Sequence, residues 1–343
     1  MDDFAQDHVM ADILRPALGL LPVASFLAVL LLLDSYKLVR LRAVVGVVLA
    51  GMLAAGVAYA VNGALLAHLE FATYTRYVAP FIEEALKALV IAALIRAHRV
   101  GFLVDAAIFG FAVGTGFALV ENLNYLALQP DSALGTWVVR GFGTALMHGG
   151  AAASFAVLAL AWLERGGGRW RWRALAPGYA LAVLLHSAFN HFLFSPLQAT
   201  LGIVFVLPLV LWAVFARGEA ALAEWLGRGF DADAEMLELI NSGRLADSPI
   251  GRYLQALKAR FHGPVVADML CYLRVHTELA LRAKGVLLAR ENGFDMPLDA
   301  ATREKFAELG YLEKSVGRTG LLALHPVLRK SRRDLWQLYL LGK

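Results

Sequence analysis

Four apolar stretches of this chain contain side chains that could activate water or bind a metal ion. Ionisable groups inside apolar segments are costly, and they usually mark a functional site. A carboxylate near an imidazole can act as a general base toward water, whereas two histidines with one or two glutamates can hold Zn²⁺ and leave a position open for water. Both arrangements hydrolyse peptide bonds. The side chains are Glu83, Glu84 and Lys87 in the first stretch, Glu121 and Asn122 in the second, His148 in the third, and His186 and Asn190 in the fourth.

The spacing of these residues suits α-helices. His186 and Asn190 are four residues apart and therefore share one face of a helix. Glu83 and Glu84 are adjacent, so they are about 100° apart around the helix and cannot both point at one centre. We therefore expect one glutamate to hold water or metal while the other pairs with Lys87 or with a backbone group.

Transmembrane helices are the elements that must position these side chains. The chain of 343 residues is 59% hydrophobic and only 17% charged, whereas a soluble domain is about 25% charged. Apolar runs of roughly 18 or more residues can cross a bilayer. We predict an all-α membrane domain over residues 17–216, followed by a soluble, mostly helical domain over residues 217–343. The seven predicted spans are 17–33, 43–66, 78–95, 105–127, 137–162, 174–194 and 199–216.

The basic residues predict how these spans are oriented, because Lys and Arg in short loops favour the cytoplasmic side. The loops after the first, third and fifth spans carry them, as in Lys37, Arg96 and Arg165. This pattern puts segment 1–16 outside the cytoplasm and the C-terminal domain inside it. At about 1.5 Å per residue, the polar residues of all four helices then lie roughly 6–16 Å below the outer boundary of the bilayer.

Other features narrow the function. The net charge of +4 is thinly spread and gives no case for nucleic-acid binding, and the single Cys271 cannot form an internal disulfide. The acidic start "MDDFAQDHVMAD" lacks the basic region of a signal peptide, so we expect the first span to be retained. Residues 217–343 contain no catalytic motif, and we expect breaks between their helices at "NSGRLADSPIG", "FHGP" and "NGFDMP".

Less specific interpretations also fit the polar residues. A lone membrane histidine such as His148 often only bridges helices by hydrogen bonds, and a Glu–Lys pair can be a neutralised structural pair. From the residues alone, an enzyme and a proton- or cation-coupled transporter stay open, as does an inert membrane scaffold. We interpret four further polar residues as solvated or structural, namely His191, Asn124, Asp105 and Asn62.

At these positions the chain resembles the PrsW family of intramembrane proteases, which is grouped with the CAAX-processing and bacteriocin-processing (CPBP/Abi) membrane proteases. That family has EExxK in one helix, FxxxEN in the next, then a histidine helix and an HxxxN/D helix. Here the motifs are "EEALK" at 83–87, "FALVEN" at 117–122, His148, and "HSAFN" at 186–190. The resemblance covers about residues 20–215 and leaves the C-terminal domain unexplained.

The resemblance implies hydrolysis of a membrane-protein substrate, expected to be single-pass, in the bacterial plasma membrane. A related role is the first cleavage of a membrane-spanning anti-sigma factor. Zn²⁺ is the implied cofactor, although a glutamate-dependent mechanism without metal fits the same residues. The resemblance makes Glu84 the expected base for water and Asn190 the expected oxyanion donor. It implies catalytic roles for Glu83, Glu84, Glu121, His186 and Asn190, metal ligands among Glu84, Glu121, His148 and His186, and structural or charge-pairing roles for Lys87 and Asn122.

Overall fold

The structure is a computed structural model that describes residues 2–166, 170–294, 296, 299–328 and 336. Within these residues the protein is helical and has no β-strand. The all-α prediction is therefore confirmed. The principal helices are α1 (Asp2–Leu33), α2 (Leu41–Leu66), α3 (Ala79–Arg96), α4 (Leu103–Leu128), α5 (Leu146–Arg165), α6 (Ala176–Asn190), α7 (Pro196–Asn241), α8 (Pro249–Leu257), α9 (Gly263–Glu291) and α10 (Ala300–Leu328).

Each predicted span coincides with a helix, but only some of these helices would cross a bilayer on length and apolar character alone. Among the described residues, five are long and apolar enough: Asp12–Leu33, Leu41–Leu66, Leu103–Leu128, Leu134–Arg165 and Pro196–Asn241. The other two predicted spans correspond to α3, which contains Glu83, Glu84 and Lys87, and to α6, which has only 15 residues. Both helices carry candidate site residues.

Two of the site helices are preceded by a π-helical segment, in which the backbone turn is wider than in an α-helix. The first π segment is Tyr74–Val78 and leads into α3, and the second is Val139–Ala145 and leads into α5. Such segments often occur at functional sites. Because a π segment inserts extra backbone into a turn, it alters which side chains of the following helix face the core.

Helix α4 forms the centre of the membrane unit and packs against α2 and α5. Its glycines permit this close packing. A Cβ atom added at Gly110 would lie 2.7 Å from the Ala152 carbonyl oxygen, and one added at Gly114 would overlap the carbonyl group of His148. The small residues therefore bring α5, and His148 with it, directly against α4, as small residues do in other membrane helices.

The chain divides into two compact units. The first comprises Met1–Asp34 and Val39–Glu219, and the second comprises Ser35–Leu38 and Ala220–Lys343. The second unit has its own apolar core, which includes the fully buried Met269 and Leu324.

Helix boundaries in the second unit agree with the sequence signals. Ser248 caps α8 by accepting the N–H of Gly251, as an N-cap serine commonly does. The breaks expected at "NSGRLADSPIG" and "FHGP" separate α7, α8 and α9. The break expected at "NGFDMP" separates α9 from α10, and two of its residues, 295 and 297, lie outside the described residues. Gly317, with φ of +66°, kinks α10.

Candidate active site

A buried ion pair anchors the site on α3. Lys87 Nζ donates a hydrogen bond of 2.6 Å to Glu84 Oε1, and neither side chain is more than 1% exposed. The same carboxylate oxygen accepts a hydrogen bond of 2.8 Å from His186 Nδ1. A buried charge needs partners of this kind, because the transfer of an ion from water to the protein interior costs roughly several kcal/mol. Oε1 of Glu84 therefore accepts hydrogen bonds from both Lys87 and His186.

His148 joins this pair to α4. Lys87 Nζ lies 2.8 Å from His148 Nδ1, and His148 Nε2 lies 2.7 Å from Glu121 Oε2. A lysine ammonium can only donate, so Nδ1 must accept. The proton of the neutral imidazole then sits on Nε2, where it is donated to Glu121. These partners assign the tautomer of His148.

Glu121 is held from its other side by Arg140, a residue of the second π segment. Arg140 Nη2 donates to Glu121 Oε1 at 3.1 Å, and Arg140 Nε donates to Asn122 Oδ1 at 2.9 Å. The guanidinium also lies 4.1 Å from the centre of the Tyr125 ring. Asn122 in turn donates to the carbonyl oxygen of Gly19 at 2.7 Å, so α1 is tied to the same network.

Glu83 has a different environment from its neighbour Glu84. Its Oε1 accepts a hydrogen bond of 3.1 Å from Asn62 Nδ2, and its Oε2 faces His186 Nε2 at 3.9 Å. Because His186 donates its Nδ1 proton to Glu84, Nε2 of the neutral ring carries the lone pair. When the ring is neutral, Glu83 Oε2 and His186 Nε2 are two acceptor atoms that face each other at a separation too long for a direct hydrogen bond. A molecule that donates two protons, such as water, can bridge a separation of this kind.

The residues that could hold a metal ion partly differ from those expected. Glu83, His148 and His186 offer ligand atoms that all lie within 4.8 Å of one another, and two histidines with one glutamate are a known catalytic zinc set. The histidine rings are perpendicular, with centroids 4.8 Å apart. Glu84 and Glu121 bind the outer nitrogens of these histidines, as carboxylates behind zinc ligands do.

The chemistry of these donors fits a divalent metal, with one condition. Glu83 Oε2 and His186 Nε2 face each other without a direct hydrogen bond, whereas both nitrogens of His148 are engaged, by Lys87 and by Glu121. His148 could join a metal only by giving up one of these bonds.

Asn190 lies on the face of α6 predicted for it, but its amide is engaged elsewhere. Asn190 Nδ2 donates to the carbonyl oxygen of Thr75 at 2.9 Å, so it ties α6 to the first π segment. Its neighbour His191 bonds Ser187 and packs edge-on against Tyr77, as befits a structural residue.

Two polar residues of the site were not singled out from the sequence. Asn62 was interpreted as structural, yet it contacts Glu83. The motif spacing does not identify Arg140, although an arginine inside predicted span 137–162 is itself a signal, because a charge in an apolar segment is costly.

The model of the PrsW family intramembrane metalloproteases matches residues 39–215, which is more than half of the chain and includes α2 to α6 and the start of α7. The chain belongs to this family. The suspected resemblance is therefore confirmed at the level of the family. No curated protein and no solved structure matches the chain significantly.

Membership identifies the broad activity of this PrsW-family protein. It is a hydrolase of the intramembrane protease class. Its apolar helices make it a multi-pass membrane protein, and its substrate is embedded in the lipid bilayer.

Proposed function

We propose that this intramembrane protease hydrolyses its substrate with water activated by Glu83 and oriented by His186. The observation that carries the proposal is the 3.9 Å separation between Glu83 Oε2 and His186 Nε2. A water molecule donating to both atoms would have its oxygen lone pairs free to attack a carbonyl carbon. Glu84 is a weaker candidate for the base, because its Oε1 already accepts from Lys87 and His186.

The proton balance follows from these partners. Glu83 takes one proton from water while the water oxygen bonds to the carbonyl carbon of the scissile peptide, which gives a tetrahedral oxyanion. The carbon–nitrogen bond then breaks, and Glu83 gives its proton to the leaving amine. Asn190 stays our candidate for oxyanion stabilisation, in which its Nδ2 would exchange the Thr75 carbonyl for the substrate oxygen.

The alternative that we propose is a metal-assisted mechanism with Zn²⁺ as the cofactor. Glu83, His148 and His186 would then hold the ion, and Glu83 would serve as a ligand instead of as the base. A bound zinc ion would polarise the substrate carbonyl and make water more acidic. In either mechanism Glu84 and Glu121 fix the orientation of the two imidazole rings. The metal content of the purified protein separates the two mechanisms, because an enzyme that is active with no bound metal would be of the glutamate-dependent type.

For the membrane arrangement we keep the seven predicted spans, with α3 and α6 completing the five more apolar helices. The basic loops support an extracytoplasmic N-terminus and a cytoplasmic C-terminal domain over residues 217–343, in a bacterial plasma membrane. The site then lies in the outer half of the bilayer. We expect cleavage near the extracytoplasmic end of a substrate helix, and a cut on the cytoplasmic side would contradict this arrangement.

We further propose that the substrate is a single-pass membrane protein and that its cleavage is regulatory, as with anti-sigma factors. The short motifs also favour the wider CPBP/Abi grouping. For residues 217–343 we propose docking or regulation, because their composition differs from that of the membrane domain. Unchanged activity after deletion of 220–343, at equal expression, would rule this role out.

Comparison of membrane-protein N-termini by mass spectrometry tests the proposal without a known substrate. Cells would express wild-type protein, Glu83→Gln, or the control Glu70→Gln, which alters an exposed carboxylate outside the site. We expect new N-termini at the outer ends of transmembrane segments with wild type and with the control, and none with Glu83→Gln. Identical N-termini in all three strains would instead favour a transporter or a scaffold.

A further inference from the structure

Two buried polar atoms on elements that lead to or contact the candidate site have no hydrogen-bond partner among the described residues. They are Asn62 Oδ1 and the hydroxyl oxygen of Tyr74. Tyr74 is only 2% exposed. Buried polar atoms are normally paired, so each exception asks for an explanation.

The orientation of Asn62 is fixed by its other amide atom. Its Nδ2 donates to Glu83 Oε1 at 3.1 Å, and a carboxylate can only accept this bond. The Oδ1 atom is therefore the unpaired acceptor, and it is attached to the same Cγ atom as the Nδ2 that contacts Glu83. Rotating the amide by about 180° would place Oδ1 against the Glu83 carboxylate, where two acceptors would face each other and the hydrogen bond would be lost.

Tyr74 is the first residue of the first π segment, which leads directly into α3, the helix that carries Glu83. Packing alone does not account for a buried hydroxyl group at position 74, because a phenylalanine would fill nearly the same space without burying a polar atom. Its neighbour Thr75 carries the carbonyl that binds Asn190. The π segment therefore presents polar groups toward the residues of the candidate site.

A protease that acts on a membrane helix must unwind part of that helix. Each unwound residue then has one free N–H and one free C=O, and unsatisfied backbone groups are strongly disfavoured in lipid. Asn62 Oδ1 matches the N–H, and the Tyr74 hydroxyl matches the C=O. One such acceptor and one such donor could together satisfy the two polar groups of one peptide unit.

We propose that Asn62 and Tyr74 form a subsite that binds the unwound peptide backbone of the substrate next to the scissile bond. This inference rests on the proposed function of Glu83. The class of ligand is an extended peptide segment, recognised by its main chain and therefore with little dependence on side-chain identity at that position.

Tyr74→Phe tests the donor, because it removes one hydroxyl and keeps the ring. Tyr77→Phe is the matched control, since Tyr77 lies in the same π segment but is 57% exposed. The probe is a synthetic transmembrane peptide that spans a cleavage site found in the N-terminus comparison, reconstituted with the full-length protein. We expect Tyr74→Phe to raise KM about fivefold with little change in kcat, as removal of uniform binding does, and Tyr77→Phe to match wild type.

A second arm leaves the protein unchanged and tests the acceptor Asn62. Replacing one amide of the peptide by an ester removes a single N–H, and we expect one position near the cleavage site to lower kcat/KM by about fivefold, the size of one hydrogen bond. The ester scan still tests the proposed subsite if Tyr74→Phe fails to fold. An ester scan without a sensitive position, or a folded Tyr74→Phe with wild-type KM and kcat, would overturn the subsite while leaving the role of Glu83 intact. Failure of wild type to cleave the peptide would overturn both.

Discussion

Arg140 offers a direct test of the network behind His148, through a double-mutant cycle with Glu121. The perturbations are Arg140→Gln, Glu121→Gln and both together. Within the described part of the chain, Arg140 is hydrogen-bonded to the site through Glu121 and Asn122. Suppose that Arg140 acts by holding Glu121, which in turn fixes the tautomer and orientation of His148. Adding Arg140→Gln to a protein that already carries Glu121→Gln should then lower kcat/KM only slightly further.

The size of the coupling follows from the geometry. Arg140 Nη2 and Glu121 Oε1 are 3.1 Å apart, with side-chain exposures of 14% and 35%. Fully exposed pairs contribute about 0–1 kcal/mol, whereas breaking a buried pair costs about 3–5 kcal/mol. For this partly buried pair we expect a coupling free energy of about 1–2 kcal/mol, and a difference of about 1.4 kcal/mol corresponds to a tenfold change in rate.

The assay measures kcat/KM on the reconstituted transmembrane peptide, together with the unfolding temperature in the same detergent. Arg15→Gln is the matched control, because Arg15 is 15% exposed and pairs with Asp12 away from the site. We expect Arg140→Lys to recover part of the activity, since the charge beside Glu121 is kept. The losses in kcat/KM can be converted to free energies and compared. If the losses of the two single mutants add up to that of the double mutant within about 0.5 kcal/mol, Arg140 does not act through Glu121, because independent sites are additive to that extent.

Three further predictions follow from the site and the helix packing. Glu83→Gln should abolish cleavage and leave the unfolding temperature nearly unchanged, whereas Glu84→Gln should also destabilise the protein by about 3 kcal/mol, because it leaves the buried Lys87 ammonium without a carboxylate partner. Thermal unfolding in detergent and product formation distinguish the two variants, and equal stabilities would contradict the assigned roles. Gly114→Ala should lower expression and stability because its Cβ would overlap the backbone of α5, while Gly46→Ala, which meets no atom within 4 Å, should be tolerated; fluorescence-detected size exclusion compares them. His186→Ala should remove bound metal from purified protein, as elemental analysis would show, and metal retained at wild-type stoichiometry would exclude His186 as a ligand.

The helices were largely predictable because apolar length is a strong signal. Segment 78–95 corresponds to Ala79–Arg96, and 105–127 to Leu103–Leu128. Helix spacing also predicted that Glu84 and Lys87 could pair, and the two side chains are hydrogen-bonded in the structure. Local periodicity is sufficient for features of this kind, because they depend on residues only a few positions apart.

The different roles of Glu83 and Glu84 could not be predicted from local periodicity. The two residues differ by about 100° around one helix, so their roles depend on how α3 is rotated about its axis. The first π segment contributes to that rotation, and hydropathy carries no signal for a widened turn. The hydrogen bond between Arg140 and Glu121 could not be predicted either, because it joins two residues that are 19 positions apart in the chain.

The charged character of α3 also has a consequence for the biogenesis of the protein. A charged residue near the centre of a helix raises its apparent free energy of membrane insertion by about 2.5–3.5 kcal/mol on translocon-based scales, and α3 contains three such residues within five positions. Helix α3 should therefore insert poorly by itself and should depend on the more apolar α2 and α4, which flank it in the chain. Substitutions that make α3 more apolar should improve its integration by the translocon and remove hydrolysis at the same time. The charged residues of α3 that serve the candidate active site are thus the same residues that oppose insertion of this helix into the membrane.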